Sequence, residues 1–256
     1  MSRYLKLFLI FFSVVVSAQQ KLSFDSLKVG DIQDFYVDDY QNIYLYKNQD
    51  FSLTKYDSLG QPLGRLMMTV PFRVQSVENP LQVFLFSQNA QELKVVDQNL
   101  NEIQKIDFKQ NFSFVQTAYA EDLQQVWLLD GSTRRLIQYN YRSNQIIKSI
   151  QYQFNFDEVI SMLVYNQHLY LITDHYFKIY DLKGNLTFER KIDQPRKIYR
   201  QNDQILVLGK TEIYQFSAPN DFVTVFSEDG AQIVDKNSSS YLGLKGNKFY
   251  IYRLKK

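Results

Sequence analysis

His168 and His175 are the only two histidines in this 256-residue chain, and there is no cysteine. They stand seven residues apart, without the i, i+4 spacing that sets two ligands on one helix face. Zinc would need further ligands, and Cys is absent. The pair flanks two runs rich in aromatic and β-branched residues, Leu169–Thr173 and Tyr176–Tyr180, joined through Asp174-His175. Turn and strand-edge roles account for both imidazoles. Ser and Asp are plentiful, but no Gly-x-Ser-x-Gly elbow presents a nucleophile. No glycine-rich loop follows a strand and opens a helix, so nucleotide binding has no support.

The elements that would carry any site repeat along the chain. The runs Asn42–Tyr46, Gln82–Phe86, Gln125–Leu129, His168–Ile172, Gln204–Leu208 and Ser240–Leu244 begin 40, 43, 43, 36 and 36 residues apart. A further run follows each about ten residues later, and Asp or Asn then opens a turn in four of the six. Asp57-Ser58-Leu59-Gly60 and Asp181-Leu182-Lys183-Gly184 are the clearest, with Gly where a positive φ is needed.

Each unit reads as four short strands. In the first these are Ile32–Val37, Asn42–Tyr46, Ser52–Asp57 and Leu63–Val70. The second has Arg73–Val77, Leu81–Phe86, Glu92–Asp97 and Asn101–Phe108, and the third Phe114–Ala118, Gln125–Leu129, Leu136–Tyr141 and Gln145–Tyr152. The fourth runs from Val159–Tyr165 to Leu186–Ile192, and the fifth from Lys197 to Ser227. Four strands at this period make a β-propeller blade. Val126–Leu129 and Ile205–Leu208 are continuous apolar runs, as expected of strands buried on both faces.

The sixth unit supplies three strands, Ala231–Val234, Tyr241–Leu244 and Lys248–Leu254, before the chain ends. Lys21–Phe24 is then expected to serve as its outer strand, closing the ring by pairing the termini and removing free edges. The expected fold is all-β, a six-bladed propeller of four-stranded blades over 19–256. Phe114–Val126 and Asp157–Tyr165 are also compatible with short helices, and the fifth unit is irregular around Ala218-Pro219-Asn220.

Residues 1–18 stand apart. Arg3 and Lys6 precede the apolar run Leu7–Val16, and small residues end at Ala18, the layout of a secretory signal peptide cleaved before Gln19. Ten apolar residues are too few to span a bilayer. Removing this segment takes the formal net charge from +2 to zero. The basic residues are scattered among acids, which argues against a nucleic-acid partner.

Asp38-Asp39-Tyr40-Gln41-Asn42-Ile43-Tyr44-Leu45, followed by Leu53-Thr54-Lys55-Tyr56-Asp57-Ser58-Leu59-Gly60-Gln61-Pro62-Leu63, resembles the repeats of NHL-type six-bladed propellers. The style is that of the exported propellers common in Bacteroidota. An exported, non-lipidated propeller of this size also resembles the PorD-type accessory components of the type IX secretion machinery. That resemblance implies an envelope partner beside an outer-membrane translocon.

Six-bladed propeller hydrolases hold calcium in the central channel, and the matching acids and amides here are Asp38, Glu78, Glu121, Asn166 and Asn202. The same residues suit the turns they occupy. Asp25-Ser26-Leu27 and Asp57-Ser58-Leu59 resemble the O-glycosylation triplet of Bacteroidota envelope proteins. Asn111, Asn185 and Asn237 open N-glycosylation triplets that matter only in a eukaryotic host.

No catalytic, cofactor-binding or metal residue is assigned, and no cofactor is expected. The expected function is a non-enzymatic protein–protein interaction scaffold in the periplasm or at the outer membrane. The rival expectations are a calcium-dependent channel-centred hydrolase or lactonase, and a carbohydrate-binding module using exposed aromatics.

Overall fold

Six four-stranded antiparallel sheets are arranged as a β-propeller in the computed structural model, which describes residues 19–23, 32–217 and 221–254. Blade 1 comprises β2 (Ile32–Val37), β3 (Ile43–Lys47), β4 (Ser52–Tyr56) and β5 (Pro62–Met67). Blade 2 has β6 (Arg73–Val74), β7 (Val83–Ser87), β8 (Glu92–Val96) and β9 (Glu102–Asp107). Blade 3 has β10 (Val115–Ala120), β11 (Gln125–Asp130), β12 (Arg135–Asn140) and β13 (Gln145–Gln151). Blade 4 has β14 (Ser161–Tyr165), β15 (His168–Ile172), β16 (Tyr176–Asp181) and β17 (Leu186–Lys191). Blade 5 has β18 (Lys197–Gln201), β19 (Gln204–Leu208), β20 (Glu212–Ser217) and β21 (Asp221–Ser227). Blade 6 joins β22 (Ile233–Lys236), β23 (Ser240–Lys245) and β24 (Lys248–Arg253) to β1 (Gln19–Ser23).

That last pairing closes the ring. β1 lies antiparallel to β24, with Gln19 opposite Tyr252 and Ser23 opposite Lys248. The closing strand thus begins two residues before the expected Lys21–Phe24, and Phe24 lies outside the described residues. So do the leader at 1–18, the Asp25-Ser26-Leu27 triplet and Ala218-Pro219-Asn220. On either side of the last segment β20 and β21 pair, giving blade 5 its four strands.

Side-chain alternation explains why the middle strands read as unbroken apolar runs. In β3, Ile43 and Leu45 face blade 6, whereas Tyr44 and Tyr46 face blade 2. In β11, Val126 and Leu128 pack toward blade 2, and Trp127 and Leu129 toward blade 4. Each middle strand feeds two interfaces, so its central positions are apolar on both faces. The buried apolar side chains form one cluster between each pair of neighbouring blades. Full burial of one such Leu or Phe contributes about 1.5–3 kcal/mol. The interface of blades 5 and 6 has the smallest buried cluster, Leu206, Leu208, Ile213, Ala231 and Val234.

The turns into the outer strands of blades 1, 2 and 4 share one design. The Oδ1 atoms of Asp57, Asp97 and Asp181 each accept from the backbone N–H groups two and four residues on, at 2.8–2.9 Å. Gly60 (φ 83°), Leu100 (φ 66°) and Gly184 (φ 96°) then turn left-handed, and a β-bulge follows. The bulges leave Leu63, Ile103 and, in blade 3, Ile147 unpaired and exposed on the rim. Bulges of this kind twist an outer edge away from further pairing.

The two windows also compatible with short helices hold the expected strands. Phe114–Val126 is no helix: Val115–Ala120 is strand β10, with a bulge at Val115/Thr117. Asp157–Tyr165 overlaps a single 3-10 turn at Phe156–Glu158, capped by Asn155, before β14 begins. The inner strand of blade 2 is shorter than the expected Arg73–Val77. Only Arg73 and Val74 pair with β7, and one further bond runs from Gln75 N–H to the Phe84 carbonyl.

Candidate functional site

The inner strands β2, β6, β10, β14, β18 and β22 surround the axis, and their charged residues meet there. Asp34 lies near the start of β2, Arg196 and Lys197 at the start of β18, and Asp235 in β22. The Lys197 ammonium donates to Asp235 Oδ2 at 2.8 Å and lies 3.2 Å from Asp34 Oδ1. It also donates to the Phe35 carbonyl and sits 3.7 Å from the centre of the Tyr36 ring. The Arg196 guanidinium pairs with Asp34 and donates to the Val234 carbonyl at 2.5 Å. Blades 5, 6 and 1 are therefore tied at the axis by two cations and two carboxylates.

Burial works against the Asp34 charge, but Arg196 and Lys197 overcome it and hold the carboxyl below the usual carboxylate range. For Asp235 burial prevails: its carboxyl is pushed up despite Lys197, with the Asp34 charge adding to the rise. On the other side of the ring, the Gln75 side-chain amide donates to the Ala120 carbonyl at 3.0 Å and accepts from its N–H at 2.7 Å. Arg73 of blade 2 donates to the Ile160 carbonyl of blade 4.

This belt separates two mouths. On the face where the inner strands begin, a cavity of about 490 Å³ is lined by residues including Asp34, Arg73, Thr117, Ser161, Arg196 and Lys197. A second cavity of about 650 Å³ adjoins it, sharing Gln33, Ile160, Pro195 and Arg196. On the opposite face, a cavity of about 720 Å³ is lined by Glu78, Glu121, Asp122, Arg200, Tyr119 and Tyr199, with the amides Asn79, Gln82 and Gln124 nearby. There burial and the charge of Asp39 push the Glu78 carboxyl up to about 7, with Lys236 and Arg200 opposing and Asp235 adding to the rise.

The residues singled out from the sequence do not converge. His168 opens β15 on the second face, where its Nδ1 lies 2.7 Å from the Asn166 carbonyl oxygen. His175 follows the same strand and lines the 650 Å³ cavity on the first face. A strand's length, roughly 17–20 Å, separates them, so they cannot share a ligand. Asp38 is fully buried and its carboxylate is filled from its own turn. It accepts from the Tyr40 and Asn42 N–H groups, the Asn42 amide and the Tyr44 hydroxyl, at 2.8–3.1 Å. Asn166 (φ 46°) and Asn202 (φ 55°) serve as left-handed turn residues.

Glu78 and Glu121 alone among the five meet in one cavity, and Glu121 already accepts from Trp127 Nε1–H at 2.8 Å and from the Gln138 amide at 3.0 Å. No three His, Cys, Asp or Glu among the described residues group closely enough to hold a metal ion. Asp57 of the second triplet caps its turn, and Asn111 and Asn185 bond within the fold, to Tyr139 and Asp181 respectively. Asn237 is buried and donates to the Asp38 carbonyl at 2.9 Å across the ring closure.

Sequence reasoning missed Asp34, Arg73, Arg196, Lys197 and Asp235. The one available signal was charge inside strands otherwise bound for the core.

No family model and no curated protein matches the sequence. Solved structures with the same fold include virginiamycin B lyase from Staphylococcus aureus, 9% identical, covering 93% of this chain and 99% of that one at a TM-score of 0.54. A streptogramin B lyase is 11% identical over 93% of this chain and 88% of its own, also at 0.54. PorZ, a surface component of the type-IX secretion system of Porphyromonas gingivalis, is 11% identical over 88% of this chain at 0.52. This chain spans 32% of PorZ. At these identities the likeness is one of fold. Among the described residues no helix is long and apolar enough to cross a membrane.

Proposed function

We propose that this chain is an exported, non-catalytic propeller that acts as a protein–protein interaction scaffold in the bacterial cell envelope, beside a type IX secretion translocon. The observation that carries the reading is the belt of Asp34, Arg196, Lys197 and Asp235. These four charged groups, on or beside inner strands of blades 1, 5 and 6, are bonded to one another and to backbone carbonyls of neighbouring blades. They lock the ring as a rigid platform whose two loop-bearing faces are left to engage partners. The leader-like segment at 1–18 supports an exported setting, and PorZ supplies a propeller of this fold within a secretion system. The test is co-purification of the tagged full chain from cross-linked envelopes of its native host. Recovery of a stoichiometric envelope companion is expected, and recovery of the propeller alone would overturn the scaffold reading.

One observation favours an enzyme instead. Glu78 and Glu121 share the 720 Å³ cavity, and a carboxyl titrating near 7 is suited to general acid–base work. Hydrolysis or elimination that disappears in Glu78→Gln, with folding intact, would promote this second reading.

A further inference from the structure

The mouth on the face where the inner strands begin carries more positive charge than its own carboxylates match. Asp34 and Asp235 are both engaged by Lys197, and Asp34 by Arg196 as well. Arg73 stands outside that arrangement. Its guanidinium donates to the Ile160 carbonyl, and no carboxylate among the described residues pairs with it. A guanidinium offers five donors in a planar fork, so most of this one remains available to the cavity it lines.

The cavity that Arg73 lines is broad, reaching residues of blades 1 to 5. Around its rim the side-chain amides of Gln33, Asn48 and Asn89 are exposed. Each can donate and accept at once, as the alternating N–H and C=O groups of an extended peptide require. The adjoining 650 Å³ cavity continues the path outward past Arg196 and Pro195, which suits several linked residues better than one small acid.

We propose that this mouth is a receptor for a carboxylate presented by an extended polypeptide segment, held by the Arg73 fork and flanked by Gln33, Asn48 and Asn89. Charge-assisted, bidentate pairing with a carboxylate is the interaction that a guanidinium fork makes best. The assignment rests on the scaffold reading, since it names the chemistry by which one face would take a partner. A chain terminus and an acidic side chain both offer that carboxylate.

The experiment uses the folded full chain and fluorescein-labelled hexapeptide pools, read by anisotropy at low and high salt. One pool ends in a free carboxylate and lacks acidic side chains, a second is C-terminally amidated with one Glu, and a third is amidated with no acid. Either of the first two is expected to bind at least tenfold more tightly than the third, and which one does so names the source. Arg73→Gln is expected to abolish that preference, and Arg73→Lys to restore part of it, while urea unfolding midpoints establish that both variants are folded. Equal binding of all three pools, absence of binding, or an unchanged preference in folded Arg73→Gln would overturn the receptor. A native companion retained by Arg73→Gln leaves the scaffold reading standing and removes only this mouth. Selective peptide binding without any native companion does the reverse.

Discussion

Lys197 Nζ lies 2.8 Å from Asp235 Oδ2, at the point where blades 5 and 6 share their smallest buried apolar cluster. The ion pair thus braces the interface that hydrophobic packing supports least. Removing one partner of a buried pair costs about 3–5 kcal/mol, because the other charge is left without compensation. Lys197→Met, which leaves Asp235 without its cation while Asp34 keeps Arg196, is expected to lower stability on that scale in urea titrations. Asp235→Asn is expected to cost less, since burial already disfavours its charge. Equal losses in the two variants would contradict this ordering.

Acid should weaken the same belt. The Asp34 carboxyl is held below its ordinary 3.8 in the folded chain. Its stabilising contribution is complete above the unfolded value and is lost as pH falls through the folded one. Unfolding followed from pH 5 down to 2 is expected to show a decline that Asp34→Asn lacks, although that variant starts from a lower stability.

Glu78 runs the other way. Its carboxyl is raised from 4.5 to about 7, so the folded state binds the extra proton and stability falls as pH rises between those values. Glu78→Gln is expected to flatten this slope and to stabilise the protein at pH 8 by an amount on the order of 1 kcal/mol, allowing for solvent reaching the cavity. Thermal melts at pH 5 and pH 8 compare the two chains. A variant that melts lower than the parent at pH 8 would refute the assignment.

The single tryptophan reports on Glu121. Trp127 is buried, and its indole N–H donates to Glu121 Oε2 at 2.8 Å. Glu121→Leu leaves that donor without its acceptor, at a cost of about 1–3 kcal/mol. A shift in the tryptophan emission maximum of the folded protein is expected, together with a lowered urea midpoint. Glu121→Gln, which still offers an oxygen, is expected to retain most of both.

Deleting Gln19–Ser23 tests the closure. The deletion strips the outer strand from blade 6 and bares the β24 backbone from Lys248 to Tyr252. An uncovered edge templates further pairing, so size-exclusion chromatography is expected to show concentration-dependent association where the parent runs as one species.

The architecture was legible because each middle strand serves two interfaces. Leu169 and Leu171 face blade 3 while Tyr170 and Ile172 face blade 5, and that double demand writes an apolar run at every period. Turn chemistry was legible too, since Asp57 and Asp181 act within four residues of themselves. The belt was not. Asp34 meets Arg196 across 162 positions, and no local spacing pairs those two residues. Asp38 misled for the opposite reason: a carboxylate at a strand end suits calcium and a turn equally, and geometry gave it to the turn. Only Glu78 and Glu121 among the oxygen donors proved to share a cavity, through loops of different blades that no spacing rule connects.

The pairing of Gln19 with Tyr252 also sets a timetable. β1, the first of the described strands, has no partner until β24, the last of them, has followed. Blades 1 to 5 are built from neighbours in sequence and can form as they arrive, but blade 6 must wait, with its leading strand held unpaired in the meantime. Pairing over such a separation is the slow kind, because the loop must close before any contact rewards it. The pairing of β1 with β24 is therefore expected to form late. During that interval the unfinished ring offers a free edge to whatever chaperone or neighbouring chain stands nearby.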